Sequence, residues 1–146
     1  LPNADTYYKK FIKIINIYKK NRKNIKVFKS LGSDTYLSCL KYVDGVIGNS
    51  SSGITEVPSF RKGSINIGDR QKGRLRATSI IDCPPQKEKI DKAIRKLYSP
   101  KFIKNISNTI NPYDNGITSE LIIKKLETTN ITTKKSFFNI DFNPKF

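Results

Sequence analysis

Residues 46–76 constrain the fold more than any other segment, because a short apolar strand pattern leads through a Ser/Gly loop and a helix into a second strand and a basic loop. Val46 and Ile47 end the first predicted strand, and residues 64–67 form the second. The carboxyl ends of parallel strands meet at one edge of an open α/β sheet, and ligands bind at that edge. This order predicts two neighbouring loops that form a site for an anionic nucleotide.

The serine loop, residues 49–53, carries the polar groups of this site. Asn49, Ser50 and Ser51 offer side-chain oxygens where the next helix begins and its first N–H groups are unpaired, and such a helix start attracts phosphate. Glu56 follows about one and a half turns later, where its carboxylate can accept hydrogen bonds from two vicinal hydroxyls, as in a ribose. The same residues also fit a serine cap on a short surface helix.

A resemblance to a known family favours the first interpretation. It is carried by GNSSSGI, with Glu56 and Pro58 behind it, and by INIGDRQKGRLR. Both segments closely resemble the carboxyl-terminal domain of hydrolysing UDP-N-acetylglucosamine 2-epimerases, bacterial enzymes of sialic acid and related nonulosonic acid synthesis. The similarity extends almost from end to end, through residues 1–5, 28–32, 81–83, 111–113 and 115–116. It implies an α/β fold with a Rossmann-like parallel sheet, the second half of a two-domain glycosyltransferase-B-type fold.

The resemblance implies a set of UDP-binding residues, which are Asn3, Leu31, Ser50, Ser51, Glu56 and Arg70. The two serines would contact the phosphates, the glutamate the ribose hydroxyls and the arginine the diphosphate. Leu31 would contact the base through its backbone, and Asn3 would reach the cleft from the segment that enters the domain. Each also has a plainer interpretation, as a helix cap, a surface ion-pair partner or a turn residue.

The chemistry of the family requires acid and base groups. Such an enzyme removes UDP from UDP-N-acetylglucosamine by elimination to a glycal, and then adds water to give N-acetylmannosamine with inverted C2. This chain has no histidine, and its acidic residues show no paired arrangement beyond what turns and caps explain. The catalytic residues of the family lie in the amino-terminal domain or near the crossover. We therefore expect the chain to bind UDP or UDP-N-acetylglucosamine without catalysing, and to need no cofactor.

The length and the first residue indicate a fragment. The predicted division is a UDP-binding domain over 1–128 and a carboxyl-terminal tail over 129–146, with the amino-terminal catalytic domain missing. The chain opens on Leu1 and contains no methionine, which we interpret as the mark of a truncated sequence. A cytoplasmic location is expected, because no segment is apolar for long enough to act as a signal peptide or to cross a membrane. The complete enzyme is also expected to be a homo-oligomer.

Two other classes of function are disfavoured. The net charge of +16 suggests nucleic-acid binding, but the lysines are spread along the chain among isoleucines and asparagines rather than clustered. Cys39 and Cys83 have neither CxxC spacing nor histidine partners, so they are predicted to be free thiols rather than metal ligands. We expect no nucleic acid, membrane or metal among the partners.

Helix and strand patterns alternate along the chain, as a parallel sheet requires. The predicted helices cover residues 6–21, 34–43, 51–60 and 118–127, with two more that begin after the Pro84-Pro85 and Ser99-Pro100 pairs. The predicted strands cover residues 25–28, 45–47, 64–67 and 79–81. Pro58 is expected to keep its helix short or bent, because proline lacks the N–H that the helix ladder needs.

Three alternatives stay open. The non-hydrolysing epimerase that returns UDP-N-acetylmannosamine shares the fold, although the serine loop and the segment 69–74 favour the hydrolysing branch. A related enzyme acts on a GDP-linked diacetamido sugar on the way to legionaminic acid. The third alternative is a stand-alone nucleotide-binding module.

Overall fold

The computed structural model describes residues 8–130 and residue 134. Helices precede, interrupt and follow a parallel sheet, so the predicted α/β class is confirmed. The helices are α1 Tyr8–Asn21, α2 Gly32–Leu40, α3 Ser52–Thr55, α4 Lys87–Leu97, α5 Pro100–Ile106 and α6 Thr118–Thr128. The strands are β1 Gly45–Gly48, β2 Gly63–Ile67 and β3 Ile80–Cys83.

The three strands form one parallel sheet in the order β1-β2-β3. Gly48 of β1 and Asp82 of β3 both stand in register with Asn66 of β2. The loops after β1 and β2 therefore leave the sheet at the same edge, as the sequence predicts. A parallel, Rossmann-like sheet with its loops gathered at the carboxyl edge is the framework of the site.

The core lies where α4 and α5 pack against the sheet. Its buried residues come from β2, from β3 and from the two helices, and they are Ile65, Ile81, Cys83, Ala93, Phe102 and Ile106. Glycine is required at the start of β2, because a Cβ atom on Gly63 would lie 2.3 Å from Leu97 Cδ1 and 2.9 Å from Phe102 Cε1. The helices can thus approach the sheet closely at this end.

The helix after the serine loop is shorter than a pattern over 51–60 predicts. It ends at Thr55, and Val57–Phe60 forms a 3₁₀ turn with Pro58 near its start. Arg61 then adopts a left-handed conformation with φ 52°. Because Pro58 cannot donate to the α-helical ladder, the expected shortening is confirmed.

The predicted strand over 25–28 does not form. Ile25 and Val27 are half-buried while Lys26 and Phe28 are exposed. Burial therefore alternates along this segment as it would in a strand, but the segment is not part of the sheet. β1 is consequently an edge strand among the described residues. A short run with alternating burial becomes part of a sheet only if another strand lies beside it, and the local sequence does not indicate whether one does.

Apolar residues at helical spacing are not all covered. In α5, Phe102 and Ile106 are buried, but Ile103 is 51 % exposed because it lies off the face of that short helix that joins the core. The apolar residues of α1 and α6 lie on helices that bury none of their described residues. Their spacing predicted the helices correctly, yet spacing does not tell whether a helix face is covered.

Several predictions fall wholly or partly on residues that the structure leaves undescribed. Asn3 lies outside the described residues, as does most of the predicted tail over 129–146. The division of the chain at residue 128 therefore stays a prediction. None of the helices in the described ranges has the length and apolar run that crossing a membrane would need.

The start of α5 yields a stability test. Ser99→Ala should lower the free energy of unfolding by about 1 kcal/mol, because Ser99 Oγ accepts a hydrogen bond from Phe102 N at 3.3 Å and caps the helix. Urea unfolding measures the change. Ser107→Ala is the matched control, since that hydroxyl donates to Lys104 O and caps no N–H group. Equal losses in the two variants would contradict the capping role.

Candidate functional site

A groove of 790 Å³ opens between the start of α2 and the serine loop. Its lining brings together three of the residues that were predicted to bind UDP, namely Leu31, Ser50 and Glu56. They come from separate parts of the chain. Ser50 and Glu56 lie at the two ends of α3, after β1, and Leu31 lies opposite them at the start of α2. Ser51 and Arg70 do not line the groove.

Ser51 occupies the N-cap position of α3, but its hydroxyl makes no capping hydrogen bond. Its carbonyl oxygen instead accepts from Ile54 N at 2.8 Å and from Thr55 N at 2.9 Å. Ser50 is exposed, and its Oγ accepts from Ser52 N at 3.4 Å. The plainer interpretation of Ser51 as a side-chain cap is therefore not supported, and its hydroxyl is not committed to the helix.

Glu56 belongs to a short chain of hydrogen bonds along the groove. Ser52 Oγ donates to Glu56 Oε2 at 2.8 Å, and Tyr36 OH is hydrogen-bonded to the same serine oxygen. Within the part of the chain that the structure describes, Glu56 Oε1 has no protein partner. The arrangement orients the exposed carboxylate and leaves one of its oxygens able to accept from a ligand.

Tyr36 and Ser52 are site residues that sequence reasoning missed. Ser52 stands four positions before Glu56, a spacing that places two side chains on one helix face and could have suggested the contact. Tyr36 is 16 positions away from Ser52, and no local pattern signals that bond. Both line the groove beside Glu56.

A hydrogen bond from Gln71 connects the basic loop, residues 68–74, to the serine loop. The side chain of Gln71 is only 4 % exposed, and its Nε2 donates to Asn49 O at 2.9 Å. Arg70, the neighbouring residue, is exposed. The structure thus brings the two loops into contact, as predicted, and the contact is made by Gln71.

Arg76 and Asp82 form an ion pair that supports the same loop. Arg76 Nε lies 3.0 Å from Asp82 Oδ2, and the guanidinium also donates to Gln71 O at 3.0 Å and to Arg74 O at 2.7 Å. Asn66 Nδ2 donates to Asp82 Oδ1 at 2.6 Å. Burial alone raises the pKa of Asp82, but the hydrogen bonds from Asn66 and Arg76 and the charge of Arg76 together hold it below its ordinary value.

Asn111 fixes the other end of α3. It is buried, and its Nδ2 donates to Thr55 O at 2.8 Å and to Ser59 Oγ at 2.7 Å, while its Oδ1 accepts from Tyr113 N. The amide satisfies a carbonyl that the early end of α3 leaves without a helical partner. The segment 111–113, which is part of the resemblance, therefore stabilises the end of the helix that follows the serine loop.

Comparison with known proteins gives one family match. Residues 1–127 match the family model described as UDP-N-acetylglucosamine 2-epimerase. The matched range includes the serine loop, the groove and all six residues that were predicted to contact UDP.

Individual relatives are consistent with this family match. The chain is 43 % identical over 114 residues to polysialic acid biosynthesis protein P7 of Escherichia coli, and 50 % identical over 90 residues to GDP/UDP-N,N'-diacetylbacillosamine 2-epimerase (hydrolyzing) of Campylobacter jejuni. It is 30 % identical over 144 residues to UDP-N-acetylglucosamine 2-epimerase of Neisseria meningitidis. These matches cover 76 %, 62 % and 96 % of this chain, but only 29 %, 23 % and 37 % of the relatives. The chain thus spans about a quarter to a third of their length.

The ion pair yields a titration test. Arg76→Leu should raise the pKa of Asp82 from below 3.8 toward or above that ordinary value, because the variant removes both a charge and a hydrogen bond. NMR titration of the Asp82 carboxyl carbon measures it. Arg74→Leu is the matched control, since Arg74 contributes only its carbonyl oxygen to the network. An unchanged pKa in Arg76→Leu would contradict the assignment.

The lowered pKa of Asp82 also determines in which direction the stability of the fold changes with pH. A carboxyl whose pKa is lower in the folded state adds stability that is fully present above the unfolded pKa and is lost as the pH falls through the folded value. Asp82 should therefore stabilise the parent chain at neutral pH and cease to do so in acid. Its side chain is 54 % exposed, so solvent screening keeps this contribution small.

Proposed function

We propose, since the chain belongs to the UDP-N-acetylglucosamine 2-epimerase family, that it forms the UDP-binding part of a hydrolysing 2-epimerase. The complete enzyme would convert UDP-N-acetylglucosamine and water to N-acetylmannosamine and UDP, for sialic acid or related nonulosonic acid synthesis. The observation that carries the proposal is the groove in which Leu31, Ser50 and Glu56 meet. A nucleotide needs base, phosphate and ribose contacts in one place, and these three residues supply one of each kind.

The roles of the residues follow from their chemistry. Glu56 accepts hydrogen bonds from the ribose hydroxyls, and Ser52 and Tyr36 hold its carboxylate in place. Ser50 and Ser51 donate their hydroxyls to the phosphates. Leu31 contacts the base through its backbone, at the N-cap position of α2.

Arg70 and Asn3 complete the proposed set from outside the groove. Arg70 is exposed beside Gln71, whose bond to Asn49 O joins the basic loop to the serine loop. A long guanidinium side chain there can turn toward a diphosphate that rests on Ser50. Asn3 keeps its proposed place at the cleft on the strength of the resemblance alone.

Catalysis is assigned to the rest of the enzyme. The chain has no histidine, and Asp82, the acidic residue with a shifted pKa, is committed to Arg76 and Asn66. The acid and base groups would come from an amino-terminal domain that faces this one across the groove. We propose a cytoplasmic homo-oligomer without a cofactor for the complete enzyme.

One rival has a specific observation in its favour. The relative with 50 % identity carries a name that includes GDP- or UDP-linked diacetylbacillosamine, so a diacetamido sugar is the second candidate substrate. The non-hydrolysing reaction is a third candidate, and a stand-alone nucleotide-binding module is a fourth. The nucleotide base separates the GDP-linked substrate from the others.

The base preference tests the assignment. UDP should bind the 146-residue chain more tightly than GDP, because the smaller uracil ring is proposed to be read by backbone groups near Leu31. Calorimetric titration of the chain with each nucleotide measures both affinities. A preference for GDP would move the assignment to the GDP-linked diacetamido sugar, and the absence of binding for both nucleotides would overturn the proposal.

Glu56→Gln tests the ribose contact. The variant should bind UDP about ten- to a hundredfold more weakly, because the charge-assisted hydrogen bonds of a carboxylate contribute about 1.5–3 kcal/mol and a neutral amide replaces them only in part. Thermal unfolding without ligand should change little, since Glu56 is exposed. Glu88→Gln, on the exposed first turn of α4, is the matched control. Undiminished UDP affinity would remove Glu56 from the site.

A further inference from the structure

The serine loop is held by backbone atoms on both sides rather than by its own hydroxyls. Ser50 Oγ makes one long hydrogen bond, from Ser52 N at 3.4 Å, and the Ser51 hydroxyl does not cap α3. On the α3 side, Ser51 O accepts two hydrogen bonds from the backbone of that helix. On the β1 side, Asn49 O accepts from Gln71 Nε2 at 2.9 Å. The positions of the two serines therefore depend on these two anchors.

Gln71 is the anchor on the β1 side, and it is buried. It is 4 % exposed, although Arg70 and Lys72 on either side of it are exposed. A carbonyl oxygen can only accept, so the amide N–H of Gln71 must face Asn49 O. The bond fixes the orientation of the peptide unit that leads into Ser50. Because a hydrogen bond shielded from water is electrostatically stronger than one at the surface, this anchor holds the start of the loop firmly.

Further hydrogen bonds connect Gln71 to the sheet. Arg76 Nη2 donates to Gln71 O at 3.0 Å, and Arg76 Nε lies 3.0 Å from Asp82 Oδ2 on β3. Asp82 Oδ1 accepts from Asn66 Nδ2 on β2 at 2.6 Å. Asn49 follows β1 directly, so this series of hydrogen bonds joins the loop after β1 to both of the other strands.

The series determines where the serine hydroxyls lie when a ligand arrives. We propose that Gln71 is a positioning residue for phosphate binding, which holds the serine loop in the conformation in which Ser50 and Ser51 contact the phosphates, and that Arg76 acts through Gln71. The inference rests on the proposed function, and it adds two residues that affect binding without touching the ligand.

The expected effect is selective for the phosphates. Leu31 and Glu56, which are proposed to contact the base and the ribose, do not belong to the series of hydrogen bonds. Loss of the Gln71 anchor should therefore weaken the contacts with the phosphates and spare those with the nucleoside. A merely structural role would weaken both, because both parts of the groove depend on the same fold. Uridine, which carries the base and the ribose but no phosphate, separates the two cases.

The first test compares UDP with uridine in variants of the full 146-residue chain. Gln71→Leu should bind UDP about five- to tenfold more weakly, the range of one neutral hydrogen bond, while uridine affinity stays within about twofold. NMR titration measures both affinities. Gln86→Leu is the matched control, because it makes the same exchange at an exposed glutamine that caps no N–H group of α4. It should change neither affinity.

Two arginine variants form a second test, which uses UDP alone. Arg76→Leu and Arg74→Leu each remove one positive charge from neighbouring positions, so each weakens the general attraction for an anion to a similar degree. Only the Arg76 guanidinium donates to Gln71 O, since Arg74 contributes its carbonyl oxygen to the network. Arg76→Leu should therefore lower the affinity for UDP about two- to fivefold more than Arg74→Leu does.

A third measurement needs no substitution. The side-chain amide N–H of Gln71 should change its NMR chemical shift when UDP is added to the parent chain, and stay nearly unchanged with uridine. The reason is that a phosphate on the serine loop polarises the peptide unit whose carbonyl this amide contacts. This arm decides the matter if Gln71→Leu does not fold.

The outcomes separate the two proposals. Equal losses for UDP and uridine in Gln71→Leu, or no loss for either, would overturn the positioning role and leave UDP binding intact. An amide shift that is the same with both ligands would also overturn it, and equal UDP affinities in Arg76→Leu and Arg74→Leu would overturn the part assigned to Arg76. Failure of the parent chain to bind UDP at all would overturn the proposed function, and this inference with it.

Discussion

The site depends on the position of β2 as the central strand of a parallel sheet. Because both neighbours run in the same direction, the loops after β1 and β2 leave at one edge, and Asn66 stands between Gly48 and Asp82. A parallel sheet must also be covered by helices, and Gly63 lets Leu97 and Phe102 approach the start of β2. One end of β2 is thus packed against helices, while its other end carries the polar groups beside the loops.

Much of this framework was predictable, because the signals are local. The strand and helix patterns of 46–76 and the helix break at Pro58 depend on neighbouring residues only. The bonds that assemble the site are not local, since Gln71 reaches Asn49 across 22 positions and Asn111 reaches Thr55 across 56. The strand expected over 25–28 was wrong for the same reason, because a sheet partner is a long-range property.

The charge of the chain has little to do with the chemistry of the groove. A net charge of +16 could suggest a strongly basic site, yet the groove is lined by one cation, Lys29, and one anion, Glu56, among polar and apolar residues. Recognition there must depend on hydrogen-bond geometry rather than on charge density. The remaining lysines raise the local concentration of any anion near the surface, an effect that salt screens.

One wall of the groove is fixed before any ligand arrives. Gln71 holds Asn49 at one side of the serine loop, and Asn111 holds the end of α3 at the other. A loop that is already in place loses less conformational entropy on binding, so a larger part of the free energy of each hydrogen bond contributes to the affinity. The opposite wall, at the start of α2, meets this one through the bond between Tyr36 and Ser52. Because Ser52 also donates to Glu56, the same hydroxyl that joins the two walls orients the carboxylate proposed to bind the ribose.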